Sequence, residues 1–146
     1  MDETTYIPGY VNGVPVKLVE KLYKNDNNWD FGSGVKTIEI GEGVEELAHN
    51  SLGYTEDLST VYLPSTLKKL NKNSFSRNTG DDKKVLTIRF NGTMAEWKAI
   101  VNNSASDWHN GLKPGSTIQC TDGYFKQEGT NYYVTMTYKW VEYPNS

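Results

Sequence analysis

The chain has 146 residues and a mass of 16.5 kDa, with 36% hydrophobic residues, a mean hydropathy of −0.65 and a net charge of −3. This length fits one domain around one core, burying roughly two thirds of the unfolded surface. Its 18 acidic and 15 basic residues lack the basic excess that a nucleic-acid binder uses to displace counterions from phosphates. No apolar run approaches the length of a membrane span. The single Cys120 excludes an intrachain disulfide, so packing must hold the fold together. The opening MDETTYIPGY has neither the basic start nor the apolar stretch of a signal peptide, and export by the usual route is not expected. Ten Tyr and four Trp exceed what a minimal core needs, and some are expected at surfaces, where they combine contact area with a polar handle.

Taken in chain order, residues 6–23 place Asn12 and Gly13 between short apolar runs, the signal of a type I′ hairpin. Residues 1–34 are therefore expected to form an N-terminal hairpin cap. In DNNWDFG, residues 26–32, Asp26, Asn28 and Asp30 alternate as in a calcium loop. Its glycine comes one residue late and its twelfth position is Thr37 rather than Glu, so the segment is read as a polar turn.

From residue 35 a pattern of threonine, aliphatic, any residue, apolar occurs as TIEI (37–40), TVYL (60–63), TIRF (87–90) and TIQC (117–120). Val35, Ile38, Ile40, Val44, Leu47 and Leu52 each have an apolar counterpart 23 residues later, and Ser51 matches Ser74. A third copy keeps the register at a spacing of 27 through Val85, Ile88, Phe90, Met94 and Trp97, which places a four-residue insertion in the turn-rich, charged stretch around 78–82. Repeats of this length cannot bury an apolar face alone, so they stack and pair their strands in parallel. The expected fold is α+β: a short solenoid with a parallel strand ladder at 37–40, 60–63, 87–90 and 117–120, flanked by β-hairpins. After the strands of the first two repeats, apolar positions three apart suggest irregular or short helical turns.

Alternation turns the second and fourth residues of each strand inward and the first and third outward. Thr37, Thr60, Thr87 and Thr117 should thus form one ladder, and Glu39, Tyr62, Arg89 and Gln119 a second beside it. Thr93 followed by Glu96 is a capping box, and Met94, Trp97, Ile100 and Val101 share a helical face, which predicts a helix over 93–101. Residues 124–141 read as a second hairpin, with Val134, Met136, Tyr138 and Trp140 alternating on one face. Both flanks are expected to cap the core or, in the sharper reading, one of them to dock onto a larger assembly.

VKTIEIGEGVEELAHNSL and LSTVYLPSTLKKLNKNSF resemble the repeats of the BspA-like leucine-rich-repeat family. The segment from FNGTMAEWKAI to TIQCTDG resembles the terminal unit of many of these proteins, and the resemblance covers about residues 35–123. It implies a parallel strand ladder with a binding surface and no catalytic activity, and no cofactor is expected. Family members are mostly surface or secreted microbial proteins, and similar modules occur in phage virion proteins. The expectation is a non-catalytic interaction module on an outer surface, an accessory or decoration protein of a phage particle, with other proteins as partners. The alternative is a bacterial cell-surface adhesin fragment binding host protein or glycan. The aromatic flanks could support a homo-oligomer.

Catalytic chemistry has little to stand on. The strand-turn-helix at 87–100 has one glycine where a phosphate loop needs several. Asn91-Gly92-Thr93 matches a glycosylation sequon, but Thr93 is better read as a helix cap. Glu45 with Glu46 and Asp81 with Asp82 read as solvated surface. His49, His109 and Cys120 are too few for zinc. A small cysteine hydrolase is the remote alternative, and Cys120 occupies the inward strand position, where burial raises a thiol's pKa. The partner-binding candidates are Glu39, Tyr62, Arg89 and Gln119, since exposed strand ladders are where repeat proteins bind.

Overall fold

The computed structural model describes residues 4–19, 35–49, 51–52, 57–75, 85–109, 111–132 and 135–145, without the side chains of 15 and 130–138. It is mostly strand, with a parallel sheet and, among the described residues, one helix. The elements are β1 (Thr4–Ile7), β2 (Tyr10–Val11), β3 (Val14–Pro15), β4 (Leu18–Val19), β5 (Thr37–Ile40), β6 (Glu46–Leu47), β7 (Thr60–Leu63), β8 (Lys69–Leu70), β9 (Thr87–Phe90), α1 (Met94–Asn102), β10 (Thr117–Cys120), β11 (Gly123–Tyr132) and β12 (Thr135–Pro144).

The four Thr-led tetrapeptides are strands, because alternating β-branched and apolar residues suit a half-buried pleat. They pair in parallel and in register, with Thr37 beside Thr60, Thr60 beside Thr87 and Thr87 beside Thr117. Ile38, Val61, Ile88 and Ile118 are fully buried under the sheet. The large sheet has seven strands in the order β1-β5-β7-β9-β10-β11-β12, parallel from β1 to β10 and antiparallel thereafter.

The N-terminal flank is more than the hairpin expected of it. Asn12 and Gly13, both at positive φ (52° and 79°), make the turn between β2 and β3 as the sequence suggests. On either side, however, β1 joins the large sheet against β5, and β4 joins a second, three-stranded parallel sheet with β6 and β8. The segment therefore follows the same course between the two sheets as β5–β6 and β7–β8. The calcium-like stretch 26–32 and the insertion at 78–82 lie outside the described residues.

Where irregular or short helical turns are expected in the first two repeats, the structure has the two-residue strands β6 and β8. Their amides bond to the neighbouring layer rather than along a helix: Glu46 N–H donates to Lys17 O (2.9 Å) and Lys69 N–H to Glu45 O (3.1 Å). Ser51 and Ser74 match because both are buried in equivalent corners, where the Ser51 hydroxyl donates to Ser74 O (3.3 Å) and Ser74's to Asn71 O (2.8 Å). Val85, aligned with buried Val35 and Leu58, is instead 43% exposed, and Leu86 is buried in its place. The alternation of β9 runs back from Ile88 to Leu86, which turns Val85 outward.

The helix α1 starts at the predicted capping box, where Thr93 Oγ1 accepts from Glu96 N–H (3.1 Å) and Glu96 Oε1 from Thr93 N–H (3.0 Å). It buries Met94, Trp97 and Ile100, with Val101 partly covered. Trp97 packs edge-on to Trp108 (5.7 Å between centroids), and Trp108 stacks on Trp140 of β12 at 5.8 Å. These tryptophans hold the helix against the C-terminal hairpin rather than standing at the surface. That hairpin forms as predicted and extends the large sheet through pairing of β11 with β10. Val134 and the side chains of Met136 and Tyr138 lie outside the described residues.

Candidate functional site

On the outer face of the large sheet, the third residue of each strand stands in one row. The predicted Glu39, Tyr62, Arg89 and Gln119 occupy consecutive strands, aligned directly by the pairing register. The same register places Tyr6 of β1 beside Glu39. Tyr6 is 61% and Tyr62 40% exposed, Glu39 and Arg89 are exposed, and Gln119 is half-buried. Beyond Gln119 the row continues through Tyr124 to Tyr143, whose rings stack at 4.9 Å. The Tyr143 hydroxyl donates to Glu128 (2.9 Å), and this bond, with lesser help from burial, raises its pKa.

A groove of about 540 Å³ runs along this row, lined by Tyr6, Glu39, Tyr62, Arg89 and Gln119. Its upper wall is made by the turns that follow the strands. There Glu42 accepts hydrogen bonds from the Ser65 backbone (2.9 Å), the Ser65 hydroxyl (2.7 Å) and the Asn91 amide (3.0 Å). One carboxylate thus ties together three successive turns. Partial burial alone would raise its pKa, but the bonds from Ser65 and Asn91 outweigh this and hold it below the ordinary value. Asn91, the sequon asparagine, is committed to this wall.

Cys120 also lines the groove; it packs against the core, as its inward position implies, but its burial is only partial. Cys120 is half-buried, because it pairs with Gly123 across the tight β10–β11 turn instead of lying beneath a further parallel strand. Burial, with Asp122 adding to it, still pushes its pKa up to about 12. Neither His49 nor His109 lines the groove. His109 lies against Trp108, and burial lowers its pKa despite the nearby Asp107. Among the described residues no three His, Cys, Asp or Glu side chains gather as a metal site would require.

Residue-by-residue reading missed Tyr6 and the wall residues Glu42 and Asn91. The signal for Tyr6 was the leading threonine and closing isoleucine of TTYI at 4–7. It was obscured by Thr5, which sits where the other strands carry an aliphatic residue. Comparison with protein-family models, with curated proteins and with solved structures finds no match for the chain. Among the described residues no helix is long and apolar enough to cross a membrane.

Proposed function

We propose that the chain is a short leucine-rich-repeat solenoid of the BspA-like kind, one domain over 1–146, acting as a non-catalytic interaction module on an outer surface. Its most economical setting is a phage particle, as an accessory or decoration protein, with virion or cell-surface proteins as partners. One observation carries this reading: the in-register row of Tyr6, Glu39, Tyr62, Arg89 and Gln119 along a single open groove. Tyr and Arg are the side chains most enriched at binding hot spots, and a groove of this size favours weak contacts multiplied by display in many copies. The non-catalytic reading draws support from Cys120, whose thiol pKa of about 12 leaves almost no thiolate at neutral pH.

The flanks fit docking as well as capping. On the side away from β11, β12 presents ten residues of backbone with no neighbouring strand among the described residues. Such an edge is able to add a strand from another chain. The test is a photo-reactive phenylalanine analogue in place of Tyr62, used in material from the native source, with the same analogue in place of exposed Lys72 as control. The expected result is a crosslink to a particle or surface component from position 62 alone. Equal crosslinking from both positions, or none from position 62, overturns the reading.

A further inference from the structure

Resting on the reading of the outer face as a binding surface, we propose that what this face grips on its partner is a neutral, β-linked oligosaccharide lying across the strands. Neighbouring strands are ~4.8 Å apart, close to the advance per ring of an extended β-linked pyranose chain. Each strand therefore offers one side chain per sugar. In the row the offers alternate: the exposed rings of Tyr6 and Tyr62 stand two strands apart, with Glu39 between them and Arg89 and Gln119 beyond. A flat aromatic ring packs against the C–H face of a pyranose. A carboxylate, a guanidinium or an amide each reaches two adjacent hydroxyls, as planar groups with paired acceptors or donors do.

The same features disfavour other occupants. A peptide strand needs an open backbone edge, whereas β5, β7, β9 and β10, which carry four of the five row residues, are paired on both sides and β1 alone of the row's strands is an edge among the described residues. An amphipathic helix needs a continuous apolar floor, and here the charged Glu39 separates the two rings and the charged Arg89 follows the second. An anionic chain would meet Glu39 and Glu42 against the one guanidinium of Arg89 among the groove residues. The wall fixed by Glu42, Ser65 and Asn91 supplies a preorganised boundary, which lowers the cost of ordering on binding.

The experiment titrates the full ¹⁵N-labelled chain with cellohexaose and, separately, with the β-1,4-linked hexamer of N-acetylglucosamine. The expected result is saturable shifts confined to β1, β5, β7, β9 and β10 with at least one of the two. Tyr62→Ala should weaken binding roughly tenfold, the size of one stacking contact, while Tyr62→Phe retains it. No saturable shift with either hexamer, or shifts indifferent to Tyr62→Ala, overturns the inference. If both hexamers fail while the crosslink from position 62 still captures a protein, the interaction surface stands and the saccharide falls. If the crosslink fails as well, the surface reading falls with it.

Discussion

The carboxylate of Asp122 accepts the Met94 N–H (2.8 Å), so a residue of the turn between β10 and β11 completes the cap of the preceding helix. Thr121 N–H donates to Gly92 O (2.8 Å) in the same place. Gly123, at φ 152°, lies so close to Met94 that a Cβ would fall 2.6 Å from its sulfur. The NGT and CTDG segments are thus one interlocked corner, which is a physical reason for them to occur together. Replacing Thr93 or Asp122 with Ala should each cost about 1 kcal/mol, read as a lower urea midpoint at unchanged slope. Glu42 carries a pH dependence. Because its folded pKa is depressed, its contribution is complete above the ordinary carboxylate range and is lost as the pH falls through the folded value. The stability gap between the wild type and Glu42→Gln should accordingly close as urea titrations move from neutral to acidic pH. A gap that persists or widens in acid would contradict this assignment.

Among the elements, α1 and the C-terminal hairpin depend on one another through Trp97, Trp108 and Trp140. Trp108 is 2% exposed and touches Phe75 as well (6.2 Å), so Trp108→Ala should cost ~3–5 kcal/mol. Loss of near-ultraviolet dichroism with far-ultraviolet signal largely retained would show that packing, not strand content, had gone. The sequence made α1 and four strands legible for separate reasons. The capping box marks the start of α1, while Ile38/Ile40, Val61/Leu63, Ile88/Phe90 and the leading threonines mark strands and register. It could not announce β6 and β8, because Val44 and Leu47 are spaced as on a helix and only bonds to adjacent layers make that backbone extended. Nor could it announce β1, whose Thr5 breaks the pattern even though the backbone pairs it with Ile38. The row of Glu39, Tyr62, Arg89 and Gln119 was readable from alternation alone. Tyr6 was not, since its place depends on a strand the pattern conceals.

For the molecule as a whole, the large sheet is what unites these parts. It runs unbroken from the N-terminal β1 to the C-terminal β12, so the outer row gathers residues from 6 to 143 on one face. Removing residues 1–19 should strip β1 from β5 and leave an apolar-backed strand edge, with a lower urea midpoint and concentration-dependent association on size-exclusion chromatography. On the proposed function, partners meet this molecule on the outer row. The most direct measurement is capture of native-source components by the full chain and by a Tyr62→Ala/Arg89→Glu double variant whose circular dichroism matches the wild type. Both substitutions are at exposed positions, so the fold is expected to survive them. The variant should lose the components the wild type retains, by roughly tenfold or more, as removal of two hot-spot side chains implies. Equal capture by both proteins would contradict it.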